Sequence, residues 1–160
     1  MSLPEHESSP VPRVVLDNNV VLDWLLFRDP NGLAVGAAVT SRKMQWKGTA
    51  EMRAELSHVL GRGELDGRKP DLPAIWATWS AHCMEVPTPL QSSARVRFRC
   101  TDTDDQKFID LAANGQVRWL LSRDRAVLKL ARRLKEVGVE VLTPSAWVAR
   151  YAKGTEAAKD

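Results

Sequence analysis

Short extended segments that alternate with helical segments are the feature of this sequence that most limits its fold. Residues 14–16 are wholly apolar and residues 117–122 nearly so, as strands buried on both faces are. Two further extended segments are predicted at residues 45–47 and 139–143. Helical crossovers between strands favour a parallel sheet covered on both faces. We therefore predict a three-layer α/β/α domain with a central parallel sheet of about four to five strands.

The helices between these strands are indicated by caps, apolar periodicity and stop signals. Those signals predict helices over residues 20–27, 32–41, 50–60, 71–83, 102–114, 124–137 and 144–147, with Gly115 closing the fifth of them. The helix over 124–137 is predicted to be continuous, with Val127, Leu130, Leu134 and Val137 facing the core. In the helix over 71–83, Leu72, Ile75, Trp76 and Trp79 form the expected buried stripe.

The length of 160 residues suits one domain with a single core. We expect that domain to span residues 13–152, with flexible segments at 1–12 and 153–160, where the sequence is polar or rich in small residues. No apolar stretch approaches the ~20 residues of a membrane span, and the first residues lack a signal-peptide core. Two cysteines make no disulfide framework, so we expect a cytoplasmic protein without a membrane partner.

Basic residues are concentrated in two parts of the chain. Residues 118–135 carry seven arginines and lysines against one acid, and three arginines alternate with apolar residues at 95–99. Clustered guanidinium groups attract a phosphate backbone, although a solvated helix face has the same composition. The candidate phosphate contacts are Arg97, Arg99, Arg123 and Arg125.

Four acids from distant parts of the chain are expected at one edge of the sheet. Asp17 ends the first strand, and Asp124 follows the strand at 117–122 by a single arginine. Asp105 lies in the first turn of the helix that leads into that strand, and Glu55 lies in the second turn of the helix after the strand at 45–47. Carboxylates crowded together repel, and a multivalent cation relieves the repulsion. Their hard oxygen atoms favour Mg²⁺ or Mn²⁺, and two such ions can promote phosphodiester cleavage.

Each acid also has a local explanation. Asp17, Asp102 and Asp124 all stand where a side chain caps a helix, and an exposed helical glutamate such as Glu55 is common. A receiver-like signalling domain phosphorylated on Asp17 is a rival interpretation. It is weakened because the sequence has neither the expected early pair of acids nor the late lysine.

The segments LDNNVVLDWLL, AELSHVLGR, CTDTDDQKFIDLAANG, WLLSRDRAVL and VEVLTPSAW together resemble the PIN domain, from residue 13 to 147. More narrowly, they resemble the PIN proteins regarded as toxins of bacterial toxin–antitoxin pairs. The most specific motifs are CxDxxDxKF, beginning at Cys100, and the Ser-Arg-Asp step after the strand at 117–122. The resemblance implies a Mg²⁺- or Mn²⁺-dependent ribonuclease whose parallel sheet lies between helices.

Residue by residue, the resemblance implies roles for seven side chains. Asp17, Asp105 and Asp124 would ligate metal, and Glu55 would bind a second ion or a bridging water. Asn19, Ser122 and Asp102 would orient the carboxylates or water. The implied partners are an RNA substrate, a cognate antitoxin protein and a second copy of the chain. A non-catalytic PIN module that binds RNA or a protein is the alternative.

Overall fold

The computed structural model describes residues 11–89, 98–114 and 116–152. Its strands are Arg13–Leu16 (β1), Gln45–Gly48 (β2), Cys83–Glu85 (β3), Trp119–Leu121 (β4) and Glu140–Leu142 (β5). Its α-helices are Asn18–Leu25 (α1), Pro30–Thr40 (α2), Ala50–Leu60 (α3), Leu72–His82 (α4), Gln106–Asn114 (α5), Arg125–Leu128 (α6), Ala131–Lys135 (α7) and Pro144–Trp147 (α8). A 3₁₀ turn over Thr103–Asp105 leads into α5, and a π-helical turn over Val148–Ala152 follows α8.

The five strands form one parallel sheet in the order β3-β2-β1-β4-β5. Val14 pairs with Trp46 of β2 on one side and with Trp119 of β4 on the other. The chain therefore changes direction across the sheet at β1, and the carboxyl ends of β1 and β4 lie side by side. Such a switch in strand order opens a crevice at the carboxyl edge of the sheet. The predicted α/β fold with a parallel sheet flanked by helices is confirmed.

The core lies on both faces of the sheet. Val14, Val15 and Leu16 of β1 are at most 2% exposed, as a central strand between two helical layers requires. Trp24 of α1 packs against Trp46, with ring centroids 5.4 Å apart. Gly36 of α2 makes room for that ring, because a Cβ atom there would lie 2.0 Å from the indole nitrogen of Trp24.

Two predictions about local structure are wrong. The helix predicted over residues 124–137 is divided at Leu130, whose ψ of 4° lies outside the α-helical range, and Val137 beyond it is 38% exposed. Cys83 begins β3 instead of ending α4, and Leu72 at the other end of that helix is 40% exposed. β3 is an edge strand whose residues are half-buried or exposed, so it carries no apolar run that the sequence could reveal.

Some predictions lie outside the described residues: Gly115 as a helix end, the flexible segment at 153–160, and residues 1–10 of the flexible segment predicted at 1–12. Within the described ranges, none of the helices combines the length and apolar character that a membrane span needs.

Candidate metal centre

Asp17 lies at the carboxyl end of β1, in the crevice between β1 and β4. It is only 4% exposed, and its carboxylate accepts a hydrogen bond of 2.6 Å from the Ser122 hydroxyl. The other carboxylate oxygen caps α1 through the backbone N–H of Asn19, at 3.5 Å. Burial raises the pKa of Asp17, while the hydrogen bond from Ser122 opposes that rise. Asp17 is thus both a helix cap and a buried acid of the crevice.

Three aspartates bring their carboxylates together beside this crevice. Asp102, Asp105 and Asp124 each offer one oxygen atom that lies within 4.8 Å of the other two. Asp102 caps the 3₁₀ turn and is exposed, whereas Asp105 closes that turn and is 8% exposed. Asp124 follows β4, is half-buried, and caps α6 through the N–H of Ala126 at 2.8 Å. The helix caps that the sequence suggested at Asp102 and Asp124 are therefore formed by acids that also converge.

Asp105 is the electrostatic centre of the group. Burial, a hydrogen bond with Asp124 and the negative charges of Asp17, Asp124 and Asp102 raise its pKa to about 8. Its Oδ2 atom is buried and has no hydrogen-bond partner among the described residues. An unpartnered oxygen in a buried, negatively charged site is costly, and a bound cation would remove that cost.

The donor set fits a hard divalent cation. All three converging ligands are carboxylates, with no histidine or cysteine among them. Oxygen-only donors are those that Mg²⁺ and Mn²⁺ take in proteins. Asp102, Asp105 and Asp124 are the residues that could hold such an ion, and Asp17 lies close enough to raise the pKa of Asp105.

Ser122 connects the two strands that carry the buried acids. Its fully buried hydroxyl donates to Asp17 and accepts a 2.9 Å hydrogen bond from the backbone N–H of Asp124. Asn19 makes a parallel connection, since its side-chain oxygen accepts a bond of 3.3 Å from the N–H of Arg123. These two polar residues hold the end of β1 against the segment that follows β4.

Glu55 does not belong to the group of three aspartates whose oxygens converge. Thr49, at the end of β2, caps α3 through the N–H of Met52, and this places Glu55 in the second turn. One oxygen of Glu55 lies 3.2 Å from the side-chain nitrogen of Asn18 and 3.1 Å from the Lys107 ammonium. Glu55 therefore faces a cation that belongs to the chain itself.

Comparison with known proteins assigns the fold to a family. The PIN domain family model matches residues 13–126 of the sequence. The chain belongs to the PIN-domain family. A chain of the crystal structure of VapBC2 from Rickettsia felis bound to a DNA fragment from their promoter has a similar fold, with a TM-score of 0.56. That match covers 81% of this PIN domain and 98% of the other chain at 8% identity, so the likeness is one of fold. No curated protein matches the chain in sequence.

The arginines of this PIN domain occupy different positions relative to the acids. Arg123 donates two hydrogen bonds, of 2.7 and 3.1 Å, to the carboxylate of Asp23. About half of the Arg123 side chain remains exposed. Arg125 is exposed on α6, next to Asp124. Arg99 lines a cavity of about 350 Å³ that Lys107 also lines. Arg97 lies outside the described residues.

Sequence reasoning missed two residues of this site in the PIN domain. Asp23 is 7% exposed and was not singled out, although an acid within the apolar segment VVLDWLL was a usable signal. Lys107 is the lysine of the CxDxxDxKF motif, and the motif itself indicates no partner for its ammonium group. Its contact with Glu55 joins α5 to α3 across 52 residues, a pairing that no local pattern encodes.

Proposed function

We propose that this PIN domain is a metal-dependent endoribonuclease that hydrolyses RNA phosphodiester bonds, and that it is the toxin of a toxin–antitoxin pair. The observation that carries the proposal is the convergence of three aspartates around a buried oxygen of Asp105 that has no partner in the described structure. A merely structural acid at that position would be expected to have a hydrogen-bond donor. Carboxylates arranged in this way favour a divalent cation, and such sites are common in phosphodiester hydrolysis.

In the proposed role, Asp17, Asp105 and Asp124 would hold one or two Mg²⁺ or Mn²⁺ ions, and Glu55 would bind a bridging water or a second ion. Asp102, expected only to orient carboxylates or water, joins the metal ligands because its oxygen converges with those of Asp105 and Asp124. A bound ion would supply positive charge at the phosphate and would lower the pKa of a water molecule. In hydrolysis the water oxygen would bond to phosphorus and release a proton to the solvent, the bond from phosphorus to the leaving ribose oxygen would break, and that oxygen would take up a proton from the solvent, so that one water is consumed. Ser122 and Asn19 keep the buried carboxylates oriented while this occurs.

The substrate side of the proposal rests on charge. Arg123 and Arg125 flank Asp124 in the chain, and Arg99 lines a cavity together with Lys107, so each could contact a phosphate of the RNA strand. Arg123 is already oriented by Asp23, so its exposed half would be presented in a fixed direction. Arg97 belongs to the same proposal on sequence alone.

The partner side rests on similarity. The matching fold comes from the VapBC2 toxin–antitoxin complex, which supports an antitoxin protein as a partner. A homodimer and a cytoplasmic location are proposed on the family resemblance and on the cysteine content.

Incubation with a panel of transfer RNAs and structured RNAs tests the activity. We expect cleavage in the presence of Mn²⁺, none in EDTA, and none by the Asp105→Asn variant. Asp104→Asn is the matched control, because Asp104 is an exposed neighbour outside the converging group. If the wild type and Asp105→Asn degrade RNA equally, the cleavage comes from a contaminant and the proposed site is wrong.

A non-catalytic binding module is the second candidate function. The ion pair between Glu55 and Lys107 favours this function, because it neutralises a carboxylate that the catalytic proposal assigns to metal binding. Thermal unfolding with and without millimolar Mn²⁺ separates the two functions. A rise in Tm that Asp105→Asn abolishes supports the enzyme, and no rise in the wild type supports the binding module.

A further inference from the structure

Glu55 and Lys107 form the part of the site that a symmetric two-metal arrangement does not explain. In two-metal sites the ions lie about 3.5–4 Å apart and together stabilise the attacking and the leaving oxygen of the phosphate. Here the oxygens of Asp102, Asp105 and Asp124 converge, while Glu55, one of the four metal ligands that the family resemblance implied, lies 3.1 Å from an ammonium group.

The Lys107 ammonium is held by two contacts, one with Glu55 and one with the backbone of Asp104. Its side chain is only 13% exposed, and it donates to the backbone carbonyl of Asp104. Gln106, the preceding residue, fixes the start of α5 with hydrogen bonds to the N–H of Cys100 and to the carbonyl of Phe98, at 2.6 and 3.0 Å. The lysine therefore enters the site from a rigid helix start, two residues after Asp105.

Glu55 is held from the opposite side. Asn18, which follows Asp17, donates to the same Glu55 oxygen that contacts Lys107. Glu55 thus links Asn18, just after β1, to Lys107 at the start of α5, and both of these residues lie next to or near an acid of the site in the chain. Lys107 also lines a cavity of about 350 Å³ together with Arg99 and Glu51, and this cavity has room for a phosphate group.

We propose that this site takes a single divalent ion and that the Lys107 ammonium supplies the second positive charge. Lys107 rests on Glu55 in the free protein and contacts a phosphate oxygen of the RNA once the strand is bound. Lysine acts on phosphate as a compact point charge, which is the role that a second ion would otherwise fill. The assignment of RNA as the ligand rests on the proposed function, whereas the number of ions does not.

Counting bound Mn²⁺ tests the first half of the proposal. A titration followed by the electron paramagnetic resonance of free Mn²⁺ is expected to give one ion per wild-type chain. Lys107→Met is expected to give two, because Glu55 loses its cation and becomes available, and Lys107→Met with Glu55→Gln is expected to return to one. Two ions on the wild type, or one on Lys107→Met, would overturn the proposal.

Cleavage measurements test the second half. At saturating Mn²⁺, Lys107→Met is expected to lower kcat by about 10²-fold, the usual effect of losing one preorganised group at the reacting phosphate. Lys69→Met is the matched control, since Lys69 is exposed in the loop before α4 and is expected to leave kcat unchanged. A kcat within threefold of the wild type for Lys107→Met refutes the phosphate contact.

The two failures can be told apart. If the wild type cleaves no RNA, the proposed function fails, yet the count of Mn²⁺ ions still decides whether Lys107 replaces one of them. Thermal unfolding in EDTA shows whether Lys107→Met is folded. We expect it to be, because Glu55 keeps its bond from Asn18 and a third of its side chain is exposed.

Discussion

Replacing Asp105 with asparagine is expected to stabilise the metal-free protein. The pKa of this carboxyl rises from 3.8 to about 8 in the folded state, chiefly because of burial and also because Asp124, Asp17 and Asp102 lie nearby. Between those pH values the folded protein keeps a proton that the unfolded chain has released. The free energy of unfolding therefore falls as the pH rises from about 4 to about 8. Asparagine does not ionise, so the Asp105→Asn variant does not lose this stability as the pH rises.

The magnitude follows from the size of the shift. A rise of about four in the pKa of Asp105 corresponds to a loss of at most about 6 kcal/mol in the free energy of unfolding, at about 1.36 kcal/mol per pKa unit. Asp102 opens one side of the group to water, so solvent screening reduces the effect, and we expect about 2–3 kcal/mol above pH 8. For a chain of this length that gain raises Tm by roughly 5–10 °C.

Thermal unfolding in EDTA at pH 5 and pH 9 measures the effect, with Asp104→Asn as the exposed control. The advantage of Asp105→Asn is expected to be several times larger at pH 9 than at pH 5. Added Mn²⁺ at about 1,000 times its Kd should reverse the order, because it stabilises the wild type by about 4.1 kcal/mol, more than the advantage of the variant. The reasoning is refuted if Asp105→Asn is the less stable protein at pH 9 without metal, or if Mn²⁺ stabilises both proteins equally.

Three further substitutions test contacts around the site and in the core by urea unfolding. Ser122→Ala removes the donor of the 2.6 Å bond to Asp17 in a fully buried position, and we expect a loss of about 1–3 kcal/mol together with a further rise in the pKa of Asp17. Arg123→Met leaves its buried carboxylate partner without this bidentate contact, and we expect a loss of about 1–2 kcal/mol that Arg123→Lys does not fully restore. Gly36→Ala places a Cβ 2.0 Å from the Trp24 nitrogen, and we expect a loss of about 1–3 kcal/mol with altered tryptophan fluorescence. An unchanged urea midpoint for any of the three would contradict the contact assigned to it.

The sequence alone was enough to predict the layered fold and the edge of the sheet that carries the acids. The apolar segments at residues 14–16 and 117–122 became β1 and β4, which are paired side by side in the sheet. Parallel strands end at the same edge, so Asp17 and Asp124, which follow these strands, had to lie at one edge together. Strand and helix periodicity is a local property, and for that reason it can be read along the chain.

Local patterns failed where the structure depends on neighbours distant in sequence. The edge strand β3 has no apolar run, because only one of its sides is paired and its residues are half-buried or exposed. The break at Leu130 leaves the apolar spacing of residues 127, 130 and 134 intact, so the pattern could not reveal it.

Only the tertiary structure decided which acids meet. Asp102 and Asp105 share one 3₁₀ turn with Asp104, yet the turn brings two of them towards Asp124 and leaves Asp104 exposed outside that group. Glu55 was expected among them but faces Lys107 instead, because the packing of α3 against α5 sets that distance. Sequence determines the chemical type of each side chain and its place along its own strand or helix. Distances of a few ångströms between side chains on different elements follow from how those elements pack. These distances decide whether the site binds one ion or two.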